Sequence, residues 1–298
     1  MTDLKTYAAR VEAALDRLLP ETHAAFQAGQ APRLLSAAMR YSLLAGGKRL
    51  RPSMLLAAVD MLGGDADMAM APACALEMIH TYSLIHDDLP GMDDDDLRRG
   101  RPTCHVAFGE GQAILAGDGL LTHAFEVMLR QALVRPAALN RQVAAMLEIA
   151  RGAGVAGMVA GQCLDLQADR GEMAGEDLLQ YIHRHKTGCL FVAAMAAAGR
   201  LCGADDADMA ALTGYGRHFG LMFQAADDAM DVTLTAEQMG KHPGKDAADG
   251  KLTAVSVWGL RGARDAAARH GAAAIDAIAR FGDRAAFFVE LAGRHQAV

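Results

Sequence analysis

Asp87-Asp-Leu-Pro-Gly-Met-Asp-Asp-Asp-Asp96 directly follows the apolar stretch Ala71–Ile85, and a second acidic group, Asp227-Asp-Ala-Met-Asp231, interrupts another apolar stretch. Carboxylates that face a helical core are costly unless cations neutralise them. Mg²⁺ suits such hard oxygen ligands, because it usually takes one or two carboxylates and leaves its other positions to water and phosphate. If the two acidic groups face one another, they frame a site in which several metal ions hold a diphosphate.

The composition of the chain favours helices over strands. Of its 298 residues, 52% are hydrophobic and only 5% are aromatic, and there are 8 prolines. Such a chain has more helix formers than strand formers. Apolar residues recur at three- and four-residue steps almost throughout, and Gly/Pro or charged clusters separate segments of roughly 15–25 residues. We therefore predict a single all-α domain over residues 1–298.

Charge and cysteine content argue against several classes of protein. The net charge of −7 disfavours nucleic-acid binding by general electrostatics. The five cysteines are odd in number and never spaced Cys-x-x-Cys, and the N-terminus is charged, which is typical of a reduced, cytoplasmic chain. The longest apolar run lies between Lys186 and Arg200. It is shorter than the ~20 residues that span a bilayer, so we expect a buried helix and no stable membrane insertion.

The first acidic group is predicted to lie at the end of a helix. Pro90 cannot continue a helix, so one that runs from about Pro72 should end near Asp88. Carboxylates there meet the negative end of the helix dipole, and a divalent cation would remove that penalty. The Pro-Gly turn then brings Asp93 back toward Asp87. Acidic runs are usually solvated loops, but the apolar helix before this run and the two arginines after it favour a metal site.

The second acidic group belongs to one helix face. Four polar side chains fall at positions i, i+3, i+4 and i+7, namely Gln224, Asp227, Asp228 and Asp231. An ordinary solvated face would include Lys or Glu, whereas this one carries only acids and one glutamine. Like charges one turn apart also destabilise an empty helix. We predict a second metal site here, with Asp227 as its direct ligand.

Basic residues supply candidate phosphate sites. Gly46-Gly-Lys-Arg-Leu-Arg-Pro52 places cations just before a helix whose first residue could be Pro52, and a helix N-terminus with nearby cations binds anions. Further cations near apolar helices are Arg98, Arg99, Lys186, Lys241 and Lys251. His80 lies two turns before Asp87; a lone helical histidine is more often a core residue, and only this alignment marks it. Two phosphorylated substrates are indicated.

These motifs resemble the short-chain trans-prenyl diphosphate synthases, most closely the bacterial farnesyl diphosphate synthases, over nearly the whole chain. Six elements appear in the family's order: Gly46–Pro52; His80-Thr-Tyr-Ser-Leu-Ile-His-Asp-Asp-Leu-Pro90; Asp93-Asp-Asp-Asp-Leu-Arg-Arg-Gly-Arg-Pro-Thr103; Gly157-Met158 with Gly161-Gln162 and Asp165-Leu166; Lys186-Thr187-Gly188; and Phe223-Gln224 before the second acidic group. The resemblance implies an all-α isoprenoid-synthase bundle around a central cavity. It also implies a homodimer and three Mg²⁺ ions per site when substrate is bound.

The resemblance implies a role for each candidate residue. Metal ligands would be Asp87, Asp93 and Asp227, with Asp88 in support. Isopentenyl diphosphate would be bound by Lys48, Arg51, His80 and Arg99. The allylic diphosphate would be bound by Arg98, Lys186 and Lys241, while Thr187 and Gln224 aim their oxygens at the forming allylic cation. The catalytic set would be Lys186, Thr187, Gln224, Asp87 and Asp227.

The implied reaction joins isopentenyl diphosphate to dimethylallyl and then geranyl diphosphate to give farnesyl diphosphate. Cations make the allylic diphosphate a better leaving group, and an apolar pocket shields the carbocation that forms. The double bond of isopentenyl diphosphate attacks, and a proton is then lost. Since no side chain is an obvious general base, we expect the released pyrophosphate to take this proton.

Product length is predicted from the helix that carries Asp87. Tyr82 lies five residues earlier, about 7.5 Å deeper at the helical rise. Because Ser83 is small, Tyr82 is predicted to form the floor of the product pocket, as an aromatic residue does in farnesyl (C15) enzymes. Plain core packing of Tyr82 is the alternative interpretation.

Other functions are open at this point. A synthase of geranyl or geranylgeranyl diphosphate would differ only in pocket depth. A class I terpene cyclase would bind one diphosphate, and a non-catalytic partner subunit could have lost its acids or bases. One departure from the family pattern is Ala254-Val255, where an aromatic residue and a proline are common after Lys251-Leu-Thr253.

Overall fold

The computed structural model describes residues 2–21, 29–169, 171, 173–233 and 251–296, and α-helices account for most of them. Numbered in chain order within these residues, the helices are α1 Leu4–Leu18, α2 Arg33–Leu43, α3 Leu50–Met61, α4 Ala66–Asp87, α5 Cys104–Phe108, α6 Glu110–Val134, α7 Leu139–Ala153, α8 Met158–Asp169, α9 Glu176–Ile182, α10 Cys189–Cys202, α11 Asp206–Asp231, α12 Ala254–Ile278 and α13 Ala286–Gln296. A two-stranded hairpin pairs β1 Leu97–Arg98 with β2 Arg101–Pro102. The all-α prediction is confirmed.

Three apolar helices, α3, α4 and α10, form the centre of the molecule. The run predicted between Lys186 and Arg200 forms α10, where Phe191 and Met195 are fully buried. Helix α10 packs on α3, α7 and α11, while α4 packs on α3 and α6. Small side chains in α4, such as Ala73 and Cys74, let these helices approach closely. The prediction of a buried α10 is confirmed.

Helix α4 ends where the sequence predicted but begins earlier. It runs from Ala66 to Asp87, so the expected start near Pro72 is wrong by six residues. The Asp65 side chain accepts a 2.8 Å hydrogen bond from the Asp67 backbone N–H and caps the helix. The helix then continues through Pro72, which lacks one backbone hydrogen bond. Burial on every side holds the helix through that gap.

The expected start of α3 is also corrected. Helix α3 begins at Leu50, so Pro52 lies within the first turn, where a missing backbone N–H leaves no hydrogen bond unmade. Arg49 precedes it with φ at +48°. Its buried guanidinium donates 2.6 Å hydrogen bonds to Glu77, Glu12 and the Leu43 carbonyl. The basic loop before α3 is therefore tied to α1, α2 and α4.

A π-helical turn over His183–Gly188 links α9 to α10. Such widened turns are rare and recur at functional sites. Helix α8 approaches this turn backbone to backbone at Gly161, where a Cβ atom would lie 2.0 Å from the Lys186 backbone nitrogen. Only glycine allows this distance.

Helix α12 starts at the departure from the family pattern. Thr253 caps it, because its side chain accepts from the Ser256 backbone N–H while Ser256 Oγ accepts from the Thr253 backbone N–H. Ala254 is therefore the first helical residue. The helix is broken at Gly259, whose φ of +72° is not helical.

One stretch, Pro136–Asp169, is long and apolar enough to cross a membrane by length and composition, a test that core helices of soluble proteins also pass. The structure divides it into a 3₁₀ turn and the separate helices α7 and α8. The absence of stable membrane insertion stays a prediction.

Candidate active site

A cavity of about 440 Å³ opens beside the C-terminal half of α4, and α8 and the π-helical turn form its other walls. Its polar lining residues are Arg51, His80, Ser83, His86, Asp87, Gln162, Lys186 and Thr187. Its other lining residues are Tyr82, Leu84, Met92, Met158, Val159, Cys163 and Leu166. A lining that combines charged and apolar side chains is what the predicted substrates require.

The first acidic group folds back on itself as predicted. The Asp93 backbone N–H donates a 2.8 Å hydrogen bond to the Asp87 carbonyl, which brings the two residues together. Burial, assisted by repulsion from Asp93, raises the pKa of Asp87 to about 6, although Lys186 opposes this shift. Burial also acts on Asp93, but Lys186 and Lys251 outweigh it and lower the pKa of that carboxyl. The two carboxylates and the Lys186 amine therefore interact electrostatically beside the cavity.

Asp88 has a different partner from its neighbour. Asp88 is 2% exposed, and its two oxygens share the single Arg98 Nε–H at 2.7 and 2.9 Å, while Oδ1 also accepts from Nη2 at 2.5 Å. Burial raises the pKa of Asp88 even so, against the effect of Arg98. Both of its oxygens are engaged within the protein. Its predicted part in metal binding is therefore indirect, through the orientation of Arg98.

Lys186 lies among carboxylates. Its Nζ donates a 2.5 Å hydrogen bond to Asp165 Oδ2 on α8. Burial disfavours the charged amine, but Asp165, Asp87 and Asp93 outweigh burial and raise the pKa of Lys186. Neither Asp165 nor Gln162, which lies in the cavity wall, was a predicted site residue. Their signal was present in the Gly161-Gln162 and Asp165-Leu166 motif elements.

Residues at the start of α12 contact both acidic groups. Lys251 Nζ donates a 3.2 Å hydrogen bond to Asp93 Oδ1, and the Ala254 backbone N–H donates one of 2.6 Å to Asp228 Oδ2. These two donors are only three residues apart. Both acidic groups therefore contact the same short segment at the start of α12. Asp227, adjacent to Asp228, lies on the same part of α11.

The π-helical turn and α11 are joined by a hydrogen bond between two predicted catalytic residues. Thr187 Oγ1 donates to Gln224 Oε1 at 2.7 Å, and Gln224 Nε2 donates to Asp228 Oδ1 at 2.8 Å. Thr187 lines the cavity. The spacing of Gln224 and Asp228 on one helix face predicted their contact, but the long-range contact with Thr187 could not be read from spacing.

Arg51 and Arg99 lie near His80. Burial lowers the pKa of His80 well below its ordinary value, and Arg51 and Arg99 lower it further, so the ring is neutral near pH 7. Burial and Arg99 also lower the pKa of Arg51 to about 10, and its guanidinium lies 4.4 Å from the centre of the Phe191 ring. Arg99 donates to the Gly46 carbonyl. Three of the four predicted isopentenyl diphosphate ligands are thus neighbours.

The remaining predicted cations differ in position. Lys48 is exposed in the basic loop and lies near His295 on α13. Burial lowers the pKa of His295, and the charge of Lys48 lowers it further. Lys241 lies outside the described residues. Arg98 is held by Asp88 at the edge of the first acidic group.

Tyr82 and Ser83 both line the cavity, one residue apart on α4. The Tyr82 ring is nearly buried and packs edge-on against His86, with ring centres 5.8 Å apart. Ser83 Oγ donates a 2.9 Å hydrogen bond to the His80 carbonyl. Tyr82 therefore contributes to the cavity surface and is not only a packing residue.

The donor set fits a hard divalent cation. Asp87 lines the cavity, and Asp93 lies next to it through the hydrogen bond between their backbones, so two carboxylates are close together here. Within the part of the chain that the structure describes, no three acidic, histidine or cysteine side chains converge on one point. A cation held by these carboxylates would complete its shell with water and phosphate, as Mg²⁺ does.

Comparison with known proteins places this site in a family. A sequence profile described as polyprenyl synthetase matches residues 32–279. The chain belongs to this family. It is therefore a prenyltransferase, a prenyl chain-elongation synthase that acts on isoprenyl diphosphates.

Two relatives from Arabidopsis thaliana and one solved structure illustrate the similarity. Geranylgeranyl pyrophosphate synthase 9, a chloroplastic protein, is 45% identical over 89% of this chain and 73% of its own length. The large subunit 1 of a heterodimeric geranylgeranyl pyrophosphate synthase is 42% identical over 94% of this chain and 74% of its own length. The crystal structure of an FPP/GFPP synthase from Zymomonas mobilis superposes with a TM-score of 0.86 at 32% identity, covering 99% of this chain and 97% of that one.

Proposed function

We propose that the chain is a farnesyl diphosphate synthase, which joins isopentenyl diphosphate to dimethylallyl diphosphate and then to geranyl diphosphate. The observation that carries this proposal is the Tyr82 ring in the cavity wall, five residues below Asp87 on α4. A bulky ring at this depth leaves room for a shorter tail than a small side chain would. The Zymomonas mobilis relative, named for FPP and GFPP, supports a product of this class.

A geranylgeranyl product is the second candidate. Both plant relatives carry that name, and they are more similar in sequence than the Zymomonas mobilis protein is. Because the chemistry is shared, the two candidates differ only in how deep the growing tail can reach. The floor of the pocket therefore decides between them.

In the proposed reaction the two diphosphates bind on opposite sides of the cavity mouth. Lys186, with Arg98 and the acidic groups, would receive the allylic diphosphate, while Arg51, His80 and Arg99 would receive isopentenyl diphosphate. Lys186 Nζ donates to Asp165 Oδ2 and lies within electrostatic range of Asp87 and Asp93. Holding both substrates in one orientation supplies much of the rate enhancement, since a bimolecular step becomes effectively unimolecular.

The bond-breaking step needs charge stabilisation at two places. Mg²⁺, held by Asp87, Asp93 and Asp227 with three ions per site, would stabilise the leaving diphosphate as a Lewis acid. The oxygens of Thr187 and Gln224 would stabilise the allylic cation. The apolar walls, including Met158 and Leu166, would exclude water from it. The released pyrophosphate is the expected acceptor of the proton lost after attack.

We further propose a homodimer joined through α6 and α7. Leu129 and Leu133 lie one turn apart on α6 and are 53% and 76% exposed. Leu139, Val143 and Leu147 follow at four-residue steps on α7 and are also exposed. Exposed apolar surfaces of this kind usually mark contacts between chains. The relative named as the large subunit of a heterodimeric synthase supports pairing with a second chain.

We also propose a cytoplasmic location and no nucleic-acid partner. All five cysteines are free, which supports a reducing, cytoplasmic location. The negative net charge supports the absence of a nucleic-acid partner.

The proposal is tested by product analysis. Purified protein with Mg²⁺, isopentenyl diphosphate and dimethylallyl diphosphate should yield farnesol after hydrolysis of the diphosphates. Geraniol or geranylgeraniol as the main product would overturn the farnesyl assignment, and it would mean that the pocket floor lies at a different depth. Hydrocarbon from farnesyl diphosphate alone would indicate a cyclase, and no elongation by folded protein would indicate a partner subunit.

A further inference from the structure

The network from Thr187 to Asp228 continues one residue further, to His183 at the start of the π-helical turn. Its Nε2 lies 3.3 Å from Asp228 Oδ2, and both side chains are buried. The same oxygen accepts the Ala254 backbone N–H, while the other oxygen accepts Gln224 Nε2. Asp228 is thus surrounded by nitrogen atoms from three segments, two of which donate hydrogen bonds to it, and its neighbour Asp227 is the predicted metal ligand.

The Asp228 carboxylate, at the buried end of this network, determines the direction of every hydrogen bond between it and Thr187. A carboxylate only accepts, so Gln224 must present its NH₂ group to Asp228. Its carbonyl oxygen then faces Thr187, whose hydroxyl must donate its single hydrogen to it. Only lone pairs of the Thr187 oxygen remain for the cavity. If the Gln224 amide were reversed, the Thr187 hydrogen would turn toward the cavity.

We propose that Asp228 and His183 are positioning residues that set this polarity, so that the Thr187 oxygen presents negative density to the allylic cation. The inference rests on the proposed prenyl transfer reaction. In this proposal Asp228 determines the direction of the hydrogen bonds, whereas its neighbour Asp227 binds metal. His183 supports Asp228 from the side of the oxygen that does not face Gln224, because its Nε2 lies 3.3 Å from that oxygen. An oriented lone pair stabilises a developing cation more than a freely rotating hydroxyl does, because no reorganisation is needed.

The first test is Asp228→Asn, which keeps the shape of the side chain. Its oxygen would stay with Ala254 and its NH₂ would face Gln224, so the amide and the Thr187 hydroxyl reverse. We expect the single-turnover rate to fall about 10- to 100-fold. Loss of one hydrogen-bond donor that stabilises a transition state has an effect of similar size in other enzymes. The KM values of both diphosphates should stay within about twofold, because the affected interaction exists mainly in the transition state.

A double-mutant cycle with Thr187→Val separates this role from a merely structural one. Without the hydroxyl there is no lone pair to orient, so Asp228→Asn should cost less than about twofold in that background. An equal loss in both backgrounds would overturn the proposal. The double variant Asp228→Asn/Gln224→Glu should recover about tenfold, since the new carboxylate accepts from both sides and restores the direction. No recovery would also overturn it.

A second pair of variants leaves Asp228 in place. His183→Gln keeps an N–H near the Nε2 position and should retain the wild-type rate, whereas His183→Leu should lower it several-fold, and only when Thr187 is present. Equal rates for the two variants, or a loss independent of Thr187, would contradict the proposal. If wild-type protein makes no prenyl diphosphate, the proposed function itself fails. If wild-type protein is active but the cycles are additive, only this inference fails.

Discussion

At the scale of single residues, neighbours in sequence have separate tasks. Asp87 faces the cavity and repels Asp93, whereas Asp88 is bound to Arg98. On α11, Asp228 is likewise held by Gln224 and the Ala254 backbone, while metal binding by Asp227 stays a prediction. Sequence motifs predicted that these acids act together, but the partner of each one depends on residues brought from elsewhere in the chain. Asp228 shows this most clearly, because one of its donors is a backbone N–H, which has no sequence signature.

Replacing the pocket floor tests product length. We expect Tyr82→Ala to shift the main product beyond C15, because removal of the ring extends the cavity along α4. Tyr82→Phe is the matched control, since it keeps the ring and should keep the C15 product. Both are measured by chromatography of the hydrolysed products. A C15 product from Tyr82→Ala would show that another residue forms the floor.

Removing the partner of Arg49 tests its buried ion pair. Glu77→Gln leaves a fully buried guanidinium with weaker compensation, and we expect a loss of about 3 kcal/mol in the free energy of unfolding. Glu126→Gln is the control, because its ion pair with Arg130 is exposed and should change stability by less than about 0.5 kcal/mol. Urea unfolding measures both. Similar losses in the two variants would mean that burial of Arg49 is not the cause.

His270 links stability to pH. Burial lowers its pKa to about 4, and repulsion from His218, whose Nδ1 is 3.2 Å away, adds to this, followed by Arg269, Arg184 and His183. The unfolded chain binds this proton near pH 6.5, before the folded chain does. Stability should therefore fall as the pH drops from about 6.5 to about 4.

The variant His270→Gln removes that titration. Its urea midpoint should fall less than that of the wild type over this interval, while the difference between the two proteins stays constant above about pH 7. Equal acid sensitivity of the two proteins would assign the loss to other groups.

At the scale of elements, the sequence predicted helices well and close contacts poorly. Pro90 marked the end of α4, but the start was missed because the Asp65 cap outweighed Pro72. The π-helical turn could not be predicted, since it depends on backbone contact with α8. The periodicity of apolar residues shows which face of a helix is apolar, but it does not show how closely two backbones approach each other.

The contact between α8 and the π-helical turn is tested by Gly161→Ala. Its Cβ would lie 2.0 Å from the Lys186 backbone nitrogen and 2.7 Å from the His185 carbonyl carbon, and backbone atoms cannot move aside cheaply. We expect a loss of about 2 kcal/mol in unfolding free energy and a reduced turnover, because Lys186 and Thr187 shift with the turn. Gly293→Ala, on an open helical surface, should instead be neutral or gain up to about 1 kcal/mol. Equal behaviour of the two variants would rule out this close contact.

At the scale of the whole molecule, the order of motifs predicted the family and the cavity. The sequence could not show which apolar side chains remain outside the core. Leu133 and Leu120 look alike in sequence, yet one is 76% exposed and the other is fully buried. Burial is a property of the packed molecule, and the exposed surface of α6 and α7 became visible only in the structure.

That surface yields the last prediction, on assembly. If a second copy covers it, wild-type protein should have twice the 31.4 kDa mass of one chain in light scattering after size exclusion. The double variant Leu133→Asp/Val143→Asp should run at the mass of one chain, because two charges per subunit would be desolvated in the interface. Val289→Asp places a charge on the exposed side of α13 and should leave the dimer intact. A wild-type protein at the mass of one chain, or dissociation by Val289→Asp alone, would contradict pairing through α6 and α7.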